Sequence, residues 1–122
     1  VKKSLRKPET EARYQEHLKT LPEDYCVFCD KEKMKFENRE ADYKYWFVIR
    51  NEFEYDAQYK DNFMLVCRRH VESMDELTVA EFKEMMELIR DFSEGGDYDQ
   101  TILNARPRQS MPKHFHWHIC NF

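Results

Sequence analysis

The chain has 122 residues, 41% of them hydrophobic, which is enough to close one core and gives no reason to expect two. Its charged fraction is high at 36%, yet 20 basic residues against 24 acidic ones leave a net charge of -4, which argues against a general nucleic-acid binder. No apolar run reaches the roughly 20 residues that a membrane span needs, and VKKSLRKPETEA has no apolar signal core, so no membrane partner and a soluble, cytoplasmic protein are expected.

In chain order, PETEARYQEHLKTLP (8–22) predicts a short helix, with Pro8 and acidic residues at its start and Pro22 as its stop, though its apolar content is thin. The knuckle CVFC (26–29) follows. MKFENREADYKYWFVIRNEFEY (34–55) reads as two strands joined by a turn at 38–42. In the second strand Tyr45, Phe47 and Ile49 alternate with Trp46, Val48 and Arg50, a largely buried pattern. FMLVC (63–67) is a third strand.

LTVAEFKEMMELIRDFSEGG (77–96) predicts the clearest helix: Thr78 with Glu81 makes a capping box, and Gly95 and Gly96 end it. Phe82, Met85, Met86, Ile89 and Phe92 are expected on its core face, with the methionines as packing residues. TILNA (101–105) is a fourth strand, the basic loop RPRQSMPK (106–113) follows, and HFHWHIC (114–120) is the last. An antiparallel sheet with helices packed on one side is the economical architecture.

Two motifs carry chemistry. Alternation places His114, His116, His118 and Cys120 on one face of the last strand, and Phe115, Trp117 and Ile119 on the other. Neighbouring histidines then stand roughly 6.6 Å apart and the outer two about 13 Å apart, so no single ion can hold all three. Three imidazoles in register are hard to explain by packing, because each needs a polar partner when buried. Either a His-x-His pair ligates a catalytic metal, or the middle histidine is a nucleophile whose neighbours manage charge. The pair Cys26 and Cys29 reads as a zinc half-site or a thiol-redox pair before it reads as a disulfide; Cys67 and Cys120 read as buried thiols. Nothing around Cys26 has the strand-to-helix setting of a dithiol oxidoreductase.

The row His114-Phe115-His116-Trp117-His118-Ile119-Cys120 resembles the signature of the histidine triad superfamily, three histidines interleaved with apolar residues. NEFEYDAQYKDNFMLVCRRHVESMDELTVAEF (51–82) is similar to that family's earlier block, so the resemblance covers roughly residues 25–122. It implies transfer or hydrolysis of a nucleoside monophosphoryl group, with His116 attacking the α-phosphorus to form a nucleotidyl-histidine. His118 would touch the phosphoryl oxygens, and Ser110 would place a hydroxyl near the scissile phosphate and leaving group. Asn51, Asn104 and Gln109 match polar positions around the nucleotide. Arg106 and Arg108, with Lys113, make a basic mouth for an anionic substrate, and Arg108 stands where the family commonly has glycine. Asn62-Phe63 departs from a usual Gly-His.

The zinc-bearing branch of the superfamily, which includes galactose-1-phosphate uridylyltransferase, implies a structural zinc on Cys26, Cys29, His70 and His114, one per chain. A closed four-ligand site leaves His116 and His118 for phosphate. The expectation is thus an α+β, histidine-triad-like fold with about five antiparallel strands, in one domain spanning residues 1–122 whose first 30 residues form the helix and knuckle. The expected function is a nucleotide hydrolase or transferase, acting as a homodimer on a nucleotide such as a dinucleoside polyphosphate or a nucleoside phosphoramidate. Two alternatives remain: a nucleotide-binding or scaffold protein with little turnover, and a small zinc-dependent interaction module.

Overall fold

The structure is a computed structural model that describes residues 4–105 and 114–122. Among these residues the elements are α1 (Pro8–Lys19), β1 (Arg39–Asp42), β2 (Trp46–Arg50), β3 (Asp61–Cys67), α2 (Val79–Glu94), β4 (Gln100–Ile102) and β5 (His116–Asn121). The strands form one antiparallel sheet in the order β1-β2-β3-β5-β4. The expected α+β class and the five-stranded antiparallel sheet are both found.

α1 begins with proline in its first turn, carries Glu9 and Glu11 at its positive end and has His17 and Lys19 in its last turn. It buries only Thr10. That residue, with the backbone before it, fastens the helix: Thr10 Oγ1 donates to Asp56 Oδ2 (2.6 Å) and the Lys7 N–H to Asp56 Oδ1 (2.8 Å).

The first hairpin lies later than the sequence suggests. Residues 38–42, expected as a turn, mostly form β1 (Arg39–Asp42), and the reversal is at 43–45, closed by the Tyr43 N–H on the Trp46 carbonyl (2.8 Å). The READ segment is poor in strand formers, but it pairs with the buried β2 and alternates half-buried and exposed residues as an edge strand does. Trp46, Phe47, Val48 and Ile49 are all buried, because both faces of β2 are covered. β3 starts two residues before the expected strand, since Asp61 and Asn62 pair with Asn121 and Cys120. β4 is shorter and earlier than TILNA, covering Gln100–Ile102.

α2 packs across one face, where Trp46, Val48, Leu65, Met85, Phe115 and Ile119 share a core. Its capping box forms with both reciprocal bonds, and after it Gly96 takes φ 81°, a left-handed conformation that suits glycine. The buried row is Glu81, Met85 and Leu88 rather than the full apolar stripe, and Phe82 and Met86 are 41% and 49% exposed. Glu81 sets this rotation. Its carbonyl accepts from Trp46 Nε1 (2.9 Å) and its carboxylate from Arg69 Nη2 (2.9 Å), turning the 82 and 86 positions outward.

The opposite face carries Phe47, Ile49, Met64 and Val66, packed with Phe28 and Met34 of the knuckle region, and α1 borders it. Full burial of each such side chain stabilises by about 2 kcal/mol. Among the described residues, no helix is long and apolar enough to cross a membrane.

Candidate functional site

β5 splits its side chains as its alternation suggests. Phe115 and Ile119 join the α2 core with Trp117 packed against it, whereas His114, His116 and His118 face the other way and are at most 1% exposed. The strand itself begins at His116; His114 stands just before it, held in line by the Phe115 N–H on the Val71 carbonyl (2.7 Å). Each histidine has a different set of partners, and that difference separates their chemistry.

His114 faces the cysteine knuckle. A single 3-10 turn (Val27–Cys29), closed by the Cys29 N–H on the Cys26 carbonyl (3.1 Å), brings both thiols together and buries Phe28. His70 arrives just after β3, beside the start of β5. Cys26 Sγ and Cys29 Sγ lie 3.5 and 3.6 Å from His114 Nδ1, and Cys29 Sγ lies 3.1 Å from His70 Nδ1. The two Nδ1 atoms are 3.2 Å apart, and all four ligand atoms fall within 4.8 Å of one another.

This cluster can hold a metal ion. Bond lengths of about 2.3 Å to sulfur and about 2.0 Å to nitrogen in a tetrahedron give edges of about 3.3 Å (N···N) and about 3.5 Å (S···N). The four separations that involve an imidazole nitrogen given above match those edges to within about half an ångström. The other ring nitrogen of His114, Nε2, donates to the Cys67 carbonyl (2.7 Å), which leaves Nδ1 as the ligand atom. Burial holds the His114 pKa below the usual imidazole value, so the ring is neutral as ligation requires.

His116 is held differently. Its Nδ1–H donates to the His114 carbonyl (2.8 Å), and its Nε2 is the one buried side-chain nitrogen or oxygen without a partner among the described residues. Burial pushes its pKa down to about 4, with the bond to the carbonyl acting in the opposite direction. At neutral pH Nε2 therefore carries a lone pair, in a site also formed by the rings of Phe28 at 5.0 Å and His118 at 5.1 Å.

His118 has both ring nitrogens engaged. Nδ1 lies 3.0 Å from Asn62 Nδ2 and Nε2 lies 3.2 Å from Tyr55 Oη, with the Tyr55 ring stacked on the imidazole at 4.5 Å. Burial, then the charges of His116 and Arg6, keep its pKa well below the usual value. Sequence reasoning did not find these two partners. In the sequence Asn62 stands out only as a departure from a family pattern, and Tyr55, the last residue of the stretch expected as two strands, lies in a loop.

Asn51 is 8% exposed, and its side chain is turned to its own scaffold: Nδ2 donates to Asn62 Oδ1 (2.9 Å) and Oδ1 accepts from the Phe53 N–H (3.1 Å). Asn104 Nδ2 donates to Tyr55 Oη (3.0 Å), which places it one residue away from His118. Arg106, Arg108, Gln109 and Ser110 lie outside the described residues. Cys67 and Cys120 are buried, as expected.

A cavity of about 360 Å³ lies on the far side of Phe28 from the row, and none of the three histidines lines it. Leu18, Leu21, Phe28, Ile49 and Met64 supply its apolar walls, and Arg6 and Asn51 lie at its polar side. Phe28 is shared: one side of its environment is the cavity, another the rings of His114 and His116.

No protein-family model matches the sequence, and no curated protein matches it. Solved structures do match the fold. A HIT family hydrolase from Clostridium thermocellum superposes with a TM-score of 0.58 at 15% identity, over 81% of this chain and 91% of that one. A histidine triad protein from Clostridium difficile gives 0.57 at 15% identity, over 82% and 92%. A HIT family hydrolase from Legionella pneumophila gives 0.56 at 18% identity, over 80% and 92%. The chain therefore has the histidine triad fold that its motif resembles.

Proposed function

We propose that the protein is a nucleotide hydrolase or transferase of the histidine triad type, acting on an α-phosphate through His116. The observation that carries this reading is the pairing of a bonded Nδ1 with a buried Nε2 that has no partner among the described residues, on the same ring. Packing alone gives no reason to bury a nitrogen lone pair without a donor, which costs roughly 1–3 kcal/mol. A nucleophile needs that lone pair.

In the first step Nε2 attacks the α-phosphorus, the N–P bond forms and the bond from phosphorus to the leaving group breaks. Positive charge develops on the ring, and the Nδ1–H bond to the His114 carbonyl stabilises it. Water then attacks phosphorus, the N–P bond breaks, and His116 returns as neutral imidazole while the nucleoside monophosphate departs. His118 and Ser110 are assigned to the phosphoryl oxygens and leaving group, Asn104 and Gln109 to the nucleotide, and Arg106 and Arg108 to the approaching anion. The cavity beside Phe28 suits a nucleoside base, with Asn51 near the sugar; the inward bonds of Asn51 favour an indirect role in shaping that wall.

Two cysteine sulfurs and two imidazoles gathered within 4.8 Å favour zinc over harder ions, so Cys26, Cys29, His70 and His114 are assigned to one structural zinc per chain. Four protein ligands leave it no position for substrate; its contribution is to pin the knuckle, and with it Phe28, beside the row. The exposed apolar residues Val79, Phe82 and Met86 on α2 support a homodimer.

A second reading, a nucleotide-binding protein with little turnover, is favoured by one observation: both nitrogens of His118 already have partners within the protein. Trapping separates the two. The protein is incubated with a panel of nucleotides labelled at the α-phosphate, including a nucleoside phosphoramidate and a dinucleoside polyphosphate, then quenched in alkali. Label on His116 that survives alkali and is released by acid is the expected result; binding of the same nucleotides without label or hydrolysis would replace the enzyme reading with the second one.

A further inference from the structure

We propose that Asn62 and Tyr55 are positioning residues for His118, and that together they hold its ring as the neutral imidazole with its proton on Nε2. The bonds can be followed from an unambiguous donor. The backbone N–H of Tyr55 donates to Asn62 Oδ1 at 3.1 Å, and Asn51 Nδ2 reaches the same oxygen at 2.9 Å. Two donors on one atom identify it as the amide oxygen, so the end of Asn62 that faces His118 is the nitrogen. An amide nitrogen only donates, and at 3.0 Å His118 Nδ1 must therefore be the acceptor.

A neutral ring that accepts on Nδ1 carries its proton on Nε2. Nε2 lies 3.2 Å from Tyr55 Oη, so the phenol oxygen is the acceptor. The circuit thus leaves Tyr55 at its backbone, passes through Asn62 and His118, and returns to the same residue at its hydroxyl. Asn62, His118 and Tyr55 are 0%, 1% and 4% exposed, and the Tyr55 ring stacks on the imidazole at 26°. The guanidinium of Arg6, 5.0 Å from the Tyr55 ring, disfavours a second proton nearby.

The mechanistic consequence rests on the reaction proposed above. Tyr55 Oη receives His118 Nε2–H and also Asn104 Nδ2, at 3.0 Å. With both donors on the phenol oxygen, the hydrogen left to give is the Tyr55 O–H itself, so the circuit fixes the His118 ring and directs that hydroxyl, which can then donate to a phosphoryl oxygen. Replacing Asn62 with an acceptor should reverse the tautomer and point the remaining proton away from the site.

The test is long-range ¹H–¹⁵N NMR of the histidine rings in the full chain, with His118 assigned by its loss in His118→Asn. The wild type should show a pyridine-type Nδ1 and a protonated Nε2. Asn62→Asp should move the proton to Nδ1 and lower kcat for a nucleoside phosphoramidate by about 10-fold or more, with KM within about two-fold. Tyr55→Phe should keep the tautomer but shift the Nε2–H resonance, because the acceptor is gone. A wild-type ring protonated at Nδ1 overturns the proposal, as does an Asn62→Asp ring that is unchanged or that changes with no effect on kcat. Should Asn62→Asp not fold, the wild-type and Tyr55→Phe spectra decide the tautomer. A wild type without turnover but with the expected ring pattern sinks the reaction reading and supports the His118 assignment.

Discussion

The ring of His116 is tied to the backbone of His114: Nδ1–H donates to the His114 carbonyl at 2.8 Å, while His114 itself turns its Nδ1 towards the cysteines. One residue thus ends the cluster that can hold a metal ion and supports the ring proposed as nucleophile. His116→Asn should abolish turnover, with kcat down by about 1000-fold or more, while nucleotide affinity changes little, because the amide keeps polar contact but cannot attack phosphorus. Parallel activity assays and nucleotide titrations check this. Loss of binding along with activity in a folded variant would instead give His116 a ligand's role.

The cluster of Cys26, Cys29, His70 and His114 leads to a different expectation, since its loss should act on folding first. Purified protein should contain one zinc per chain with two sulfur and two nitrogen ligands by X-ray absorption, and Cys29→Ser or His114→Ala should release it. Removing the ion should lower the thermal midpoint by about 10 °C, equivalent to roughly 2–3 kcal/mol for a chain of this length. Protection from hydrogen exchange should fall first around Cys26. A chelated protein that keeps its melting temperature yet loses activity at once contradicts a structural ion.

How far the site was legible follows from the kind of signal each residue leaves. The histidine row announced itself by strict alternation, and the cysteine pair by its spacing; both are local patterns. β1 was not readable because Arg39, Glu40, Ala41 and Asp42 have no strand preference of their own and become a strand only by pairing with β2. The outward turn of Phe82 and Met86 depends on Glu81 meeting Trp46 and Arg69, residues from three separate segments. Tyr55 and Asn62 reach His118 from a loop and an adjoining strand, and no spacing rule encodes such a meeting.

Glu81 also supplies a pH dependence. Hydrogen bonding from Arg69, followed by the Thr78 cap, holds its carboxyl down to about 2, although burial opposes this. The unfolded carboxyl titrates near its ordinary value of about 4.3, so the stabilisation is full above that pH and is lost as pH falls through about 2. Arg69 is half exposed and solvent screens part of the attraction, leaving on the order of 1–3 kcal/mol. Urea midpoints of the wild type and Glu81→Gln should differ by a constant amount above about pH 5 and converge towards pH 2. A gap that stays constant throughout that range would remove Glu81 from the acid sensitivity of the fold.

Val79, Phe82 and Met86 lie along one strip of α2, at 86%, 41% and 49% exposure, and exposed apolar residues at that spacing fit a helix contact. Neither the capping box nor the buried row of Glu81, Met85 and Leu88 involves the Phe82 or Met86 side chain, so changing these two should leave the fold in place. If a second copy covers the strip, Phe82→Glu should convert a dimer into a monomer, because two isologous carboxylates would be desolvated at the contact. Adding Met86→Lys to it restores one opposite charge for each carboxylate, and some association should return. Sedimentation at several concentrations reads both effects. A wild type that sediments as a monomer up to about 100 μM, well above the Kd of a stable dimer, would rule out the dimer and leave the strip without a partner copy.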